Sequence, residues 1–159
     1  MINVGIKIID THDMGLGLMA NRLIKAGEWV ADWTGGTVHR AKSRMRLPRS
    51  FRDHAIQFAP DRWIDVRTGA RLINHSCDPN CGMLGLFTVV AMRDVSEGEA
   101  LSWDYEMSEN SDWRMHCRCG SPLCRGVIGA YANMPQHIRR KYGGFTSPWL
   151  TQLKECAPA

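Results

Sequence analysis

The 159-residue chain has no apolar run of about 18 residues, the length a membrane-spanning helix needs. Its opening, MINVGIKIIDTHDMG, lacks a basic start, an apolar stretch and a small-residue cleavage site. It therefore reads as mature protein rather than a signal peptide, and an intracellular protein without a membrane partner is expected. Internal repeats, low-complexity stretches and long linkers are also missing, and the length suits one domain with one hydrophobic core. Charge of one sign is scarce too: 20 Lys and Arg against 16 Asp and Glu leave +4, weakly informative about nucleic acid or membranes. The basic clusters Arg44, Arg46, Arg49, Arg52 and Arg139, Arg140, Lys141 are short, and a solvated face is a better reading of them than a docking surface for an acidic partner.

What is present is a series of short β-forming runs with Gly, Pro and Asp punctuation. Residues 2–9 read as a strand, residues 13–17 as a turn, and LMANRLI as the next strand. EWVADWT (28–34) follows, ended by Gly35-Gly36. Residues 37–53 are basic with weak helical character. Short apolar pieces at 56–58 and 63–66 flank a turn at Pro60-Asp61, LFTVVAM (86–92) is the clearest buried strand, and 100–105 is another. This pattern predicts an irregular, mostly β domain. Pro135 suits the first turn of a short helix through Tyr142, stopped by Gly143-Gly144, and Ser147-Pro148 begins another through Lys154.

Cys117, Cys119 and Cys124 form C-x-C-x4-C in the loop CRCGSPLC, where Gly120 and Pro122 let the chain bend until three sulfurs converge. Three thiolates make an incomplete structural zinc site, which takes four ligands in a tetrahedron. On spacing alone the fourth is open among Cys77, Cys81, Cys156 and a histidine such as His116. Disulfides are the weaker reading for a chain without a signal peptide.

Four segments in order resemble the SET family of protein-lysine methyltransferases. MGLGLMA (14–20) resembles the family's glycine-rich cofactor turn, RLINHSCDPNC (71–81) its RFINHSCDPN signature, GEALSWDY (98–105) its GEEL-x-x-DY motif, and CRCGSPLCRG (117–126) the post-SET zinc element. The resemblance covers about residues 3–130; the pre-SET cysteine cluster of some members is absent, and 131–159 carries no assignable motif. It implies a mostly β SET fold of short sheets with a pseudoknot-like crossing near 71–81, a post-SET zinc loop and short C-terminal helices. The expected division is 1–108 for the SET domain, 109–130 for the zinc element, and 131–159 for an extension packing on the same domain. Cys77 is implied as the fourth ligand beside Cys117, Cys119 and Cys124, so that a structural zinc pins the loop to the cofactor site and the folding of the loop depends on metal. Four thiolates on one zinc lower the folded charge to about +2. Cys81 and Cys156 are left as free thiols.

The resemblance implies S-adenosyl-L-methionine as cofactor and a lysine-containing protein or peptide, histone or not, as substrate. Such transfer needs a neutral lysine amine placed in line with the methyl, and little acid–base machinery. Tyr105 is the implied catalytic tyrosine. Met14, Gly15, Leu16, Asn74 and His75 are implied cofactor contacts, Gly15 because glycine permits close backbone approach. Three positions depart from the family: His54 stands where many members have a tyrosine near the cofactor, Trp33 replaces a common tyrosine, and Trp103 a Phe or Tyr that controls how many methyls are added. Trp33 and Trp103 are expected to line the substrate channel. A catalytically silent, zinc-stabilised peptide-binding module is the alternative, and direct nucleic-acid binding is not expected. Location is cytoplasmic for a bacterial or viral protein and nuclear for a eukaryotic one.

Overall fold

The computed structural model describes residues 1–152. The β-forming runs become short strands: β1 (Ile6–Asp10), β2 (Leu16–Ala20), β3 (Trp29–Asp32), β4 (Thr37–Arg40), then, after the one-turn helix α1 (Arg49–Arg52), β5 (Ala55–Ala59), β6 (Arg62–Asp65), β7 (Asn74–His75), β8 (Cys81–Leu84), β9 (Thr88–Ala91), β10 (Ala100–Trp103), β11 (Met115–His116) and β12 (Val127–Ile128). Helices α2 (Gln136–Tyr142) and α3 (Pro148–Gln152) follow. The strands form small sheets in the orders β1-β2-β10-β7, β3-β9-β8, β4-β6-β5 and β11-β12. No helix among the described residues is long and apolar enough to cross a membrane.

All pairings are antiparallel except one: β7 runs parallel to β10, with Asn74 opposite Ser102 and His75 opposite Trp103. That pairing sets the NHSC string beside the segment that ends in Tyr105. Asn80, from the same string, fastens the arrangement. Its amide donates to the Ala100 carbonyl at 2.8 Å while its carbonyl oxygen accepts from the Ser102 N–H at 2.9 Å.

Several expectations need correction. The turn read over 13–17 is shorter, because Leu16 and Gly17 already pair with Asp10 and Ile9 in β2. The strand read over 18–24 stops at Ala20, and Ile24 makes only an isolated bridge to Val95. The weakly helical stretch 37–53 opens as strand β4, because pairing with β6 outweighs local propensity, before a 3-10 turn at Arg44–Arg46. The helix through Tyr142 forms and ends at Gly143. The next one begins at Pro148; Lys154 and Cys156 lie outside the described residues.

The main core joins residues from both ends of the chain: Leu18, Ile24, Trp33, Ile73, Met83, Leu101 and Met107 pack in one cluster with Tyr142, Trp149 and Leu150. Met134, Tyr142, Trp149 and Leu150, all beyond residue 131, are thus part of the core. Trp63 fills a smaller cluster with Leu47 and Ala55, and a buried tryptophan of this kind costs about 3–5 kcal/mol to truncate.

Candidate active site

Tyr105 sits at the first position of a 3-10 turn, Tyr105–Met107, that caps β10. Asp104 starts the turn by accepting from the Glu106 N–H at 3.1 Å. The Tyr105 ring lies 5.1 Å from His75 and 5.3 Å from Trp103, centroid to centroid. Its own N–H donates to His75 Nδ1 at 3.3 Å. Burial pushes the Tyr105 phenol up to about 12 and His75 down to about 4, so the phenol keeps its proton and the imidazole stays neutral over the ordinary pH range.

Two cavities flank this pair, one lined by Tyr105 and the other by His75. The first, about 30 Å³, is lined by Trp33, Trp103, Tyr105, His54, Arg44 and Glu109, among others. Trp33 and Trp103 touch at 4.4 Å between centroids, and the Trp33 indole N–H donates to the Ala70 carbonyl at 3.2 Å. Both tryptophans thus line this small cavity with Tyr105, and both also belong to the main core. His54 lines this cavity too and not the second one, and burial lowers its pKa. Arg44, read from sequence as part of a solvated basic face, is turned inward: it is 6% exposed and pairs with Glu109 at 2.7 Å. Its guanidinium also lies 4.9 Å from the centre of the Trp113 ring.

The second cavity, about 140 Å³, is lined by Met14, Gly17, Asn74, His75, Ser76 and Ser102, with Thr11 and Cys119 at its edge. Met14, Asn74 and His75 line this one cavity. Gly15 and Leu16 do not line it. Gly15 makes the turn, with a φ of 72° that favours glycine, and Leu16 offers its carbonyl to the Asn74 amide at 3.2 Å. The glycine that matters for close approach is Gly17: a Cβ there would lie 2.7 Å from Thr11 and 3.0 Å from the Asn74 amide nitrogen.

Cys77, Cys117 and Cys119 converge with His75, their ligand atoms all within 4.8 Å of one another. Cys77 and Cys117 sulfurs are 3.7 Å apart. Tetrahedral zinc with bonds of about 2.3 Å needs sulfurs about 3.8 Å apart, so the thiols fit that ion. Burial raises Cys77 to about 11 and raises Cys117 as well, while Cys119, despite burial, is drawn down to about 7 by hydrogen bonds to its sulfur. Cys124 stands slightly outside this group and is exposed, with Sγ 3.7 Å from the Cys117 carbonyl oxygen. His75 is nearer but has the wrong proton. Because its Nδ1 accepts from Tyr105, its Nε2 carries the hydrogen and faces Cys77 Sγ at 3.4 Å as a donor. Cys81 is buried away from the cluster and hydrogen-bonds Asn80; His116 is exposed in β11.

Sequence reasoning missed the Arg44–Glu109 pair and the partners of Asp104, which are Arg125 at 2.7 Å and Tyr142 at 2.7 Å. These are distant in sequence, and nothing local in the chain marks them.

A sequence profile described as the SET domain matches residues 15–106, more than half of the chain. The chain belongs to the SET-domain family. It is 30% identical over 141 residues to the histone-lysine N-methyltransferase NSD3 of Mus musculus, covering 77% of this chain and 10% of that protein. It is 35% identical over 130 residues to the histone-lysine N-methyltransferase TRX1 of Oryza sativa, covering 72% and 13%. The SET chain thus spans a small part of the length of these relatives. Among solved structures it resembles the methyltransferase domain of human SETMAR, with a TM-score of 0.63, 22% identity, and 81% and 59% coverage. It also resembles KRYPTONITE in complex with mCHH DNA, an H3(1-15) peptide and SAH, with a TM-score of 0.60, 24% identity, and 79% and 30% coverage.

Proposed function

We propose that this SET domain transfers a methyl group from S-adenosylmethionine to the side-chain amine of a lysine in a protein. The observation that carries the reading is a pair of cavities flanking the His75–Tyr105 contact, one lined by Gly17, Asn74 and His75, the other by Trp33, Trp103 and Tyr105. S-adenosylmethionine, when bound, supplies a methyl on a positively charged sulfur. Met14, Gly17, Asn74 and His75 would hold it, and the close approach at Gly17, which a Cβ would fill, suits an adenosyl group lying against backbone.

Trp33, Trp103 and Tyr105 would hold the lysine. A free lysine has a pKa near 10.4, and a dry aromatic channel favours its neutral form. The Tyr105 phenol, kept protonated, orients the amine and offers oxygen to the methyl. The width of the channel favours monomethylation. Cys77, Cys117, Cys119 and Cys124 would hold structural zinc, with His75 Nε2–H and the Arg125 N–H donating to Cys77 Sγ, each at 3.4 Å. In this reading residues 1–108 are the SET domain, 109–130 the zinc element and 131–159 an extension packed on it. The substrate class is a histone tail or another lysine-bearing protein, with action in the nucleus of a eukaryote or the cytoplasm of a bacterium or virus.

A silent peptide-binding module is the second reading, and the two indoles crowding the channel at 4.4 Å favour it. Transfer of labelled methyl from S-adenosylmethionine to a peptide panel separates the two. Tyr105→Phe is expected to lower kcat about 100-fold with cofactor affinity unchanged. Cofactor binding by the wild type without transfer to any peptide would favour the silent module.

A further inference from the structure

We infer that Asp104, Arg125 and Tyr142 form a clasp through which the cysteine loop and α2 set the pose of Tyr105 and His75. The inference deepens the methyl-transfer reading and rests on it. The Asp104 carboxylate is 0% exposed, and such a charge is tolerated only when fully paired. Arg125 pairs with it: Nη2 donates to Oδ1 at 2.9 Å, and Nη1 lies 2.7 Å from Oδ2 as an ion-pair contact. The Tyr142 hydroxyl donates to Oδ2 at 2.7 Å. Both partners lie beyond residue 106, where the SET match ends. The anion that precedes the catalytic tyrosine is therefore neutralised from outside the matched segment, by the cysteine loop and by α2.

The carboxylate also governs the backbone on either side of Tyr105. Oδ1 accepts from the Glu106 N–H, and the Tyr105 N–H in turn holds His75 Nδ1. Glu106 repeats the pattern, with Oε2 3.2 Å from Arg125 Nη2 and Oε1 accepting from the Gly129 N–H at 2.6 Å. The same turn is held from the C-terminal side by Ser147 N–H to the Met107 carbonyl at 2.8 Å and Tyr131 N–H to the Glu109 carbonyl at 2.7 Å. Lys141, beside Tyr142, reaches Asp78 of the NHSC loop at 2.6 Å. A shift of Arg125 or Tyr142 thus moves the turn that aims the phenol, without either residue touching a substrate. Asp104, Arg125 and Tyr142 are positioning residues, and α2 is part of the catalytic apparatus.

Tyr142→Phe and Arg125→Gln test this, with Arg125→Lys as the conservative variant. Each is compared with wild type for kcat, for KM of peptide and cofactor, and for zinc content. Tyr142→Phe is expected to lower kcat about tenfold, with both KM values within about twofold and zinc unchanged. Arg125→Gln is expected to lower it further, and Arg125→Lys to recover part of the loss. Unaltered kcat in both Tyr142→Phe and Arg125→Gln overturns the clasp, as does a loss that only follows zinc or folding. A second readout needs no activity: in isotope-labelled tyrosine NMR, the Tyr105 signal, identified by its absence in Tyr105→Phe, is expected to move in both variants. A Tyr105 signal unmoved in both overturns the clasp even when wild type transfers methyl. Wild type that transfers nothing while the signal moves counts against the methyltransferase reading and leaves the clasp supported.

Discussion

The two cavities that flank His75 and Tyr105 are built on different plans. The larger is lined by a glycine, two serines and the Asn74 amide together with Met14, Leu18 and Leu101, where β2 approaches β7 and β10. The smaller is made from bulk, two indoles and a phenol, closed on one side by the buried Arg44–Glu109 pair. A site that must accept one invariant molecule can be built from backbone and small residues. A site that must measure the size of an amine is better built from rigid rings, because filling or emptying space changes what fits by whole methyl groups. By this contrast, changes on one side are expected to alter affinity for cofactor, and changes on the other to alter the product.

The strongest way to break it is removal of metal. Cys77 belongs to the string that carries Asn74 and His75, so chelation is expected to abolish cofactor binding and transfer together, measured by titration calorimetry and methyl incorporation on protein of known zinc content. Metal-free protein that stays fully active would uncouple the cysteine cluster from the larger cavity. Next in size is Gly17→Ala. The added Cβ falls 2.7 Å from Thr11 and 3.0 Å from the Asn74 amide, so cofactor KM is expected to rise about tenfold with the methylation state of the product unchanged. An altered product pattern would merge the two plans into one.

Trp103→Phe probes the other side. It should leave cofactor KM within about twofold and shift the product toward higher methylation, read by mass spectrometry of the peptide. If instead cofactor affinity collapses, Trp103 serves the core more than the channel. The smallest effect is in the pH profile. Burial raises Tyr105 to about 12 from an ordinary value near 10. Below pH 10 both folded and unfolded chains keep the phenol proton, so its contribution to stability is fully present. Between about 10 and 12 the unfolded chain loses the proton first, and stability falls as pH rises. Ultraviolet titration of wild type against Tyr105→Phe is expected to place this phenol near about 12, and the rate should rise with pH as the amine deprotonates, with no downturn from Tyr105 below that point.

Much of this was legible in the chain because the informative residues are contiguous. The strings 71–81 and 98–105 announce themselves, and the fold places them side by side in β7 and β10. The strands at 28–34, 86–92 and 100–105 have enough β-forming residues to be read singly, and the structure keeps a part of each. What could not be read depends on partners far along the chain. Strand β4 exists because β6 lies beside it. His54 is read by counting along a motif, and the chain just before β5 sets it in the cavity lined by Trp33 and Trp103. Arg44 looked like one of four surface arginines until Glu109, 65 residues on, gave it a buried counter-charge. Cys124 was legible as a member of the loop, but its place at the rim of the sulfur group was not.

The clasp around Asp104 also has a consequence in time. A ribosome delivers the chain from its N-terminus, and domains fold as their segments emerge. The strings that define the site are complete by residue 105, yet the guanidinium and phenol that steady Asp104 come 21 and 38 residues later. The parallel pairing of β7 with β10 must also wait for the intervening β8–β9 hairpin, and such long-range pairings are slow to form. A nascent chain that already displays the strings 71–81 and 98–105 therefore holds Tyr105 loosely, and the turn takes its final pose late, when α2 docks.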